Sequence, residues 1–528
     1  MDGPAVFNLA DLFEAVADHR GDDLAVVSST ARASYRQLDR LASCWATALA
    51  AAGVDTGDRV ALMLRNHLDH VAALLGSFKL RAVPLNVNLH YTAEELRHLL
   101  ADADPAVVVC EDELEPTVRS AVEQAAWGPH RPAAVRALGA FAAEAAAVAP
   151  AERRHDRDGG DGYLLYTGGT TGLPKGVEWR QEDLFFAALG GDSRVDGALG
   201  RPADALAALR HAPTRVLVAC PLMHGTAQWV TLGALLSGGT VVLFTEDAFD
   251  ADALLELAER ERVAQLVVVG DAFAVPLADA LDARPDHWSL DELVVVASGG
   301  ASLATETARR LLHHLPGAVV VDGYGTSETG GHARHIHVPG ASGADRTFRP
   351  DPDTGLIGFD GVVLGRDSDE LGRIGRCGHI PLGYRNDPTR TAVTFPVIAG
   401  RRWALTGDLG RWRPDGSIEL VGRGERTVNS GGEKVDALEV ESVVRTHPAV
   451  ADAMVVGVPD ARFGEVVGVL VKLAPGASLS VEQLARYCRS SLARFKLPRH
   501  VAVVEHLPRT PTGKPDYRAA VSRLRKHR

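Results

Sequence analysis

Seven short runs rich in β-branched residues recur between residues 60 and 321, separated by helical patterns, and this alternation most constrains what the chain can fold into. The runs are 60–64, 107–110, 216–220, 241–244, 266–269, 293–297 and 319–321. Their apolar stretches need cover on both faces, which means strands inside a sheet with helices packed on each side. The helices carry their own start signals. Ser34-Tyr-Arg-Gln37 and Thr92-Ala-Glu-Glu95 are capping-box sequences. Leu38, Leu41, Trp45 and Leu49 follow the first at helical spacing as far as Gly53, and Leu96, Leu99 and Leu100 follow the second. Residues 251–262 and 303–314 repeat the pattern. The predicted class is α/β: a large layered α/β N-terminal domain over residues 1–421.

Composition changes near Gly422. A polar turn, a helix around 437–446, a strand pair at 453–458 and 466–473, a long helix over 481–495 and a proline-bounded tail follow. These make a small α+β C-terminal domain of about 100 residues, large enough to hold its own core; the resemblance given below implies that it is mobile. The hinge is placed at 422–426 and the small domain at 427–528. The alanine-rich stretch 133–151 reads as a linking helix or loop without chemistry, and Ser522-Arg-Leu-Arg-Lys-His-Arg528 as a solvated basic end.

A chain of 528 residues exceeds one ordinary core, in keeping with two domains. Lys and Arg number 56 against 68 Asp and Glu, a net charge of −12, which argues against a general nucleic-acid binder. Five scattered cysteines without a C-x-x-C pair read as reduced core thiols. No secretory pattern opens the chain, and no apolar stretch approaches the ~20 residues that span a bilayer. The expectation is a cytoplasmic protein with a small-molecule partner and no membrane span. Oligomeric state is not readable.

The chemistry concentrates in a few turns. Tyr166-Thr-Gly-Gly-Thr-Thr-Gly-Leu-Pro-Lys-Gly176 follows an apolar strand. Its glycines, Gly168 and Gly169 among them, let backbone N–H groups approach an anion. Thr167, Thr170 and Thr171 add hydroxyls, and Lys175 a cation. The loop suits a polyphosphate but is not a Walker A loop, because Lys175 precedes Gly176 and Val177 rather than Ser or Thr. Tyr324-Gly-Thr-Ser-Glu-Thr-Gly330 lies after run 319–321, where open α/β sheets bind ligands. There Tyr324 offers a flat face for a base, Ser327 a hydroxyl for phosphate, and Glu328 a hard oxygen for Mg²⁺. Ser298-Gly-Gly-Ala301 permits close approach to the backbone. Asp408 can accept hydrogen bonds from both ribose hydroxyls, and Arg423 can reach nucleotide oxygens. Singly, Asp408 is better explained as a turn residue before Gly410, and Lys514, in Thr510-Pro-Thr-Gly-Lys514, as solvated surface.

Taken in order and spacing, these motifs resemble the adenylate-forming superfamily of acyl- and aryl-CoA synthetases, luciferases and nonribosomal-peptide adenylation domains. Within it the likeness is to actinobacterial acyl-CoA ligases acting on steroid side chains or other bulky acids. The segments Leu164-Leu-Tyr-Thr-Gly-Gly, Pro221-Leu-Met-His-Gly225, Gly378-His-Ile-Pro-Leu-Gly383, Gly431-Gly-Glu-Lys-Val435 and Pro511-Thr-Gly-Lys-Pro-Asp-Tyr517 carry it. The resemblance implies ATP, Mg²⁺ and CoA as cofactors and an acid activated as its adenylate. It implies that residues from Thr167 to Lys175 hold the β- and γ-phosphates. Tyr324 would pack on adenine beside Gly299, Gly300 and Ala301, Ser327 would touch the α-phosphate, and Glu328 would bind Mg²⁺. Asp408 and Arg423 would hold the ribose. Lys514 would bridge the acid and the α-phosphate, and His224 would stand at the mouth of the acid pocket. Gly431 and Gly432, after a rotation of the small domain, would help form a pantetheine tunnel.

Two positions depart from the family pattern: Glu425 at the hinge, where Asp or Lys is usual, and Asp436-Ala437, where an aromatic or aliphatic residue often precedes Pro. They leave room for another acid or acceptor, such as ATP-dependent nitrite activation and diazotisation of an aryl amine. A binding protein that has lost catalysis is disfavoured by the joint presence of Lys175, Glu328, Asp408 and Lys514. Trp229 reads as a core or pocket-wall aromatic. His332, His335 and His337 lack an accompanying carboxylate or cysteine to complete a zinc site.

Overall fold

The computed structural model describes residues 6–125, 133–167, 173–191, 200–207, 209, 213–301, 303–339, 347–423, 427–508 and 516–526. Two sheets organise the large domain. The seven-stranded sheet runs Gly383–Tyr384, Lys175–Arg180, Gly162–Thr167, Val83–Asn86, Arg59–Met63, Val107–Cys110, Ala134–Ala137. Its last five strands in this order are parallel. The fourteen-stranded sheet has a parallel centre: Val319–Thr326, Val295–Gly299, Gln265–Val268, Arg215–Val218, Thr240–Leu243 and Leu24–Val27. Beyond Gly330–His337 it continues as an antiparallel meander built from residues 347–423.

The apolar runs have the two-sided cover that their composition demands. Val216 and Val218 face Val60 and Leu62 of the other sheet across the helices Tyr35–Ala51, Leu68–Leu80 and Gly225–Leu236. Leu217 and Val242 point the opposite way, onto Ala251–Arg260, Gly270–Ala283 and Thr305–His314. Ala61, Met63 and Val108 cover Ala93–Ala103 and Glu115–Gln124. The result is five layers, α-β-α-β-α. Both capping boxes are formed, at Ser34 with Gln37 and at Thr92 with Glu95.

The small domain is a five-stranded sheet of Thr427–Ser430, Glu433–Asp436, Val450–Asp460, Gly464–Leu473 and His500–Val503. Ala437–Arg445 and Val481–Cys488 pack on one face and Tyr517–Lys526 on the other.

Four expectations are corrected. Residues 133–151 are an integral unit, not a linker: Ala134–Ala137 is an edge strand, and Leu138–Ala147 sets Phe141 edge-on to Trp45 at 5.3 Å. Small alanine side chains let that helix pack closely while hiding its apolar face from a search for large residues. The helix predicted over 481–495 stops at Cys488, where Ser490 Oγ donates to the Tyr487 carbonyl and competes with the helical ladder. The chain then makes a 3₁₀ turn, Arg494–Lys496. The strand beginning at Val319 does not stop at Val321 but runs to Thr326, so Tyr324 lies within its carboxyl end. The basic end is helical to Lys526, with Ala520 and Leu524 buried against Met454 and Val456. Among the described residues no helix is long and apolar enough to cross a membrane, and all five cysteines are buried free thiols.

Candidate active site

A cavity of about 710 Å³ lies where the carboxyl ends of strands from both sheets meet the small domain. From the large domain it is lined by Thr167, His224, Gly299, Gly300, Tyr324 and Ser327, together with Asn88 and His90. Ser430 to Lys434, Phe463, Arg494, Phe495 and Arg499 close it from the small domain. Motifs that lie more than 250 residues apart in sequence thus share one space.

The polyphosphate-type loop is anchored as a hairpin, since Thr167 and Lys175 are cross-strand partners. Gly168, Gly169, Thr170 and Thr171 lie outside the described residues. The Lys175 ammonium donates to Tyr384 Oη at 3.0 Å and stands 3.4 Å from Glu328 Oε1 and 4.4 Å from the Tyr384 ring centre. Tyr384 Oη in turn donates to Glu328 Oε1 at 2.8 Å. Burial opposes ionisation of Glu328, but Lys175, Lys434 and the Tyr384 hydroxyl outweigh it and hold the carboxyl well below the ordinary carboxylate range. This turn is held from behind by the buried Arg376, whose Nη1 donates to the carbonyls of Ala187, Thr329 and Gly331 at 3.0, 3.0 and 2.7 Å.

Among the described residues no group of three or more His, Cys, Asp or Glu side chains converges to hold a metal unaided. An ionised hard oxygen ligand beside a polyphosphate-type loop fits Mg²⁺ nonetheless, because that ion takes one or two carboxylates and completes its shell with phosphate and water oxygens. Of the three histidines, His332 belongs to packing. His332 is buried under the Tyr324 ring at 4.7 Å, and burial with the nearby Arg376 pushes its imidazole down to about 3, so it stays neutral.

Tyr324 donates through its hydroxyl to Asp408 Oδ2 at 2.5 Å. Asp408 is buried in the middle of the strand Ala404–Trp412, not in the turn that explains it when it is taken singly. Its cross-strand partner is Arg423. The two residues paired by sequence reasoning are therefore register neighbours, although the Arg423 side chain lies outside the described residues. Ser327 lines the cavity while its carbonyl accepts from Trp179 Nε1 at 3.1 Å. Ala301 packs against the core beside the glycines and is not on the cavity wall.

His224 precedes the helix Gly225–Leu236, and its Nε2 is 3.3 Å from Glu433 Oε1 of the small domain. Asn88 Nδ2 donates to the same oxygen at 3.1 Å. Burial works against the charge on His224, yet Glu433 raises its pKa overall, and His224 and Asn88 lower that of Glu433 against its own burial. Beyond His224 the wall is apolar: Trp229, Val230, Val269, Phe273 and Ala333.

Gly431 and Gly432 adopt φ of 61° and 94°. A Cβ on Gly432 would stand 2.6 Å from Val269 Cγ1 of the large domain, so glycine is required there by backbone conformation and by proximity together. Lys514 and Glu425 lie outside the described residues. Sequence reasoning placed Glu433 only as the end of the turn Ser430-Gly-Gly-Glu433 and gave no role to Asn88, Tyr384, Arg376 or Lys434. Lys434 sits inside the quoted segment Gly431–Val435, and Tyr384 directly follows Gly383, so adjacency was a usable signal. Arg376 and Asn88 carried none.

The AMP-binding enzyme model matches residues 13–361, and the AMP-binding enzyme C-terminal domain model matches residues 439–514. The medium-chain acyl-CoA ligase Mig of Mycobacterium avium is 38% identical, over 98% of this chain and 98% of that protein. The 3-oxocholest-4-en-26-oate–CoA ligase of Rhodococcus rhodochrous is 35% identical, over 97% and 95%. Among solved structures, the amide bond synthetase McbA of Marinactinospora thermotolerans superposes with a TM-score of 0.79 at 27% identity, covering 97% of this chain and 99% of that one. With the family model spanning well over half of its length, the chain belongs to the AMP-binding enzyme family.

Proposed function

We propose that this protein is an ATP-dependent, AMP-forming acid–CoA ligase whose acid is bulky and largely apolar. One observation carries the reading: the small-domain turn Ser430 to Glu433 is seated in the same cavity as Thr167, Gly299, Tyr324 and Ser327. Nucleotide-type and thiol-type features then serve a single bound acyl group. The apolar wall from Trp229 to Phe273 and Ala333 supports the acid class, as do relatives named for medium-chain and steroid acids.

In the first half-reaction the acid's carboxylate oxygen attacks the α-phosphorus of ATP and pyrophosphate leaves. The nucleophile is already ionised, so the task is to neutralise converging negative charge rather than to remove a proton. The segment from Thr167 to Lys175 is assigned to the β- and γ-phosphates, and Ser327 and Lys514 to the α-phosphate. Tyr324 is assigned to adenine, with Asp408 and Arg423 on the ribose. Glu328 would hold Mg²⁺, which supplies positive charge to phosphate oxygens. In the second half-reaction a CoA thiol attacks the acyl carbonyl, AMP leaves, and the thiol gives up its proton. Gly431 and Gly432 line its approach, and Glu433 draws His224 toward the small domain. The hinge between the two arrangements is placed at 422–426. Five buried thiols agree with a reducing, cytoplasmic setting.

The test is a panel of medium-chain, steroid and aromatic acids with ATP and Mg²⁺, following pyrophosphate release with and without CoA. The expected product is an acyl-CoA with AMP. Turnover only with nitrite and an aryl amine would overturn the assignment in favour of diazotisation.

A further inference from the structure

We infer that Glu95 and Lys496 are positioning residues for the thiol-accepting half-reaction, joined as a buried ion pair across the two domains. This rests on the ligase reading above. Lys496 Nζ donates to Glu95 Oε1, the two residues standing 401 positions apart in sequence. Each side chain is only 2% exposed. Lys496 also donates to Glu439 Oε1 of its own domain at 2.9 Å.

Glu95 is prepared for this contact before the domains meet. Its other oxygen, Oε2, accepts from Thr92 N at 2.8 Å and from Thr92 Oγ1 at 2.9 Å, the reciprocal half of the capping box. One oxygen therefore fixes the rotamer on its own helix, and the second points across the boundary with little further entropy to lose. Lys496 ends the 3₁₀ turn that begins at Arg494, and its immediate neighbours Arg494 and Phe495 are cavity wall. Pinning Lys496 thus places that wall as well as the domain.

The pair discriminates between arrangements rather than merely holding the domains together. Two buried opposite charges gain little over their hydrated states, but burying either one alone is strongly unfavourable. Any rotation that takes the small domain off this surface must part Lys496 from Glu95, leaving Lys496 with Glu439 and Glu95 with its capping box, each newly exposed to water. Only the arrangement with Gly431 and Gly432 against the cavity lets both be buried and paired. Neither residue lines the cavity, so loss of the pair leaves Lys175, Tyr384 and Glu328 of the large domain in place.

The experiment uses the full chain and four proteins: wild type, Glu95→Gln, Lys496→Met and the double variant. Gln retains the capping-box geometry, which guards against a folding defect should Lys496→Met prove unstable. Decanoic acid-dependent ATP–pyrophosphate exchange reports the first half-reaction, and thioester formation from supplied decanoyl-adenylate and CoA the second. Each single variant is expected to slow thioester formation at least ten-fold and to change exchange less than two-fold. The double variant should be no slower than the slower single one. Equal losses in both half-reactions, additive losses, or no loss in thioester formation would overturn the inference. Spin labels at Ser289→Cys and Ser490→Cys, two exposed positions in a chain whose native cysteines are all buried, give a readout independent of turnover. With CoA present, wild type should give one narrow interlabel distance and the variants a broader, shifted distribution. An unchanged distribution overturns the inference even if the ligase reading stands, whereas a shift without any acid turnover in wild type would fault the ligase reading alone.

Discussion

Replacing Gly432 by alanine separates the two half-reactions by a cost that can be worked from the backbone. At φ 94° a Cβ is strained wherever the small domain sits, by about 1–2 kcal/mol, so this part lowers thermal stability without favouring either domain arrangement. The second part exists only in the seated arrangement. The new Cβ would lie 2.6 Å from Val269 Cγ1, roughly 1 Å inside ordinary carbon contact. Valine is stiff about χ1 and sits on a packed strand end, so it yields at the cost of overpacking, about 1–3 kcal/mol. That energy corresponds to about 5- to 150-fold in the population of the seated arrangement. Thioester formation from supplied acyl-adenylate should fall by that factor, while acid-dependent pyrophosphate exchange stays within about two-fold. Val269→Ala removes the colliding methyl and should restore part of the lost thioester rate without restoring the melting temperature. Gly431→Ala is the contrast: its nearest neighbour is Phe463 of the same domain at 3.0 Å, so stability should suffer more than the balance between half-reactions. Equal loss in both half-reactions for Gly432→Ala, or no rescue by Val269→Ala, would refute the steric argument.

Three further outcomes are expected. Glu328→Gln removes the carboxylate that Lys175 and Tyr384 hold ionised, so pyrophosphate exchange should fall by about 10²–10³ and need more Mg²⁺ for half-maximal rate, both read by titrating the metal. Lys514→Ala should abolish adenylate formation by a similar factor of about 10²–10³ while sparing thioester formation from supplied adenylate, and equal loss in both would show the role to be misassigned. Glu439, facing Lys496, Glu95, Asp436 and Tyr91, is pushed up to about 7, chiefly by burial, with Lys496 opposing and Glu95 and Asp436 reinforcing. The seated arrangement therefore binds a proton that a solvated Glu439 releases near its ordinary value. Between that value and about 7, seating should weaken as pH rises, by up to ten-fold per unit, and level off above. The check is the pH profile of thioester formation divided by that of Glu439→Gln, which cancels the ionisation of the CoA thiol.

The sheet cores were legible because burial on both faces leaves a compositional trace. Val107–Cys110 can be read as a strand because three consecutive valines favour the extended backbone and all four residues are buried. The edges were not. Ala134–Ala137 and Leu138–Ala147 pack through alanines whose apolar area is small, and the tail's basic face hid Leu524 on its other side. At the site, residues that bring their own turn chemistry, such as Gly299 and Gly432, announced themselves. Residues whose value lies in a partner did not. Tyr384 matters because it bridges Lys175 and Glu328, and Arg376 because three carbonyls converge on it; both relations join segments over 180 residues apart, and no local pattern encodes them. Asp408 shows a third case, where the residue was found but its setting was misjudged, because a long strand with glycines resembles a turn.

The charges around the cavity bear on the proposed rotation of the small domain. Adenylate formation brings a carboxylate to a triphosphate and calls for added positive charge, yet in the arrangement seen here the small domain offers Glu433 at the mouth, 3.3 Å from His224. A carboxylate there opposes the approach of a second anion to the nucleotide. It suits the step that follows, when the acyl group has lost its charge and the incoming group is a thiol. The anion also draws the imidazole toward the small domain and raises its pKa, so the side chain that would guard the acid in one step is engaged elsewhere in the next. The cations that the small domain brings to the same cavity wall are Lys434, Arg494 and Arg499, so Glu433 sets the charge only at the mouth beside His224. The buried pair between Glu95 and Lys496 goes with the same face of the small domain as the contact of Glu433 with His224, so the proposed rotation would break both together.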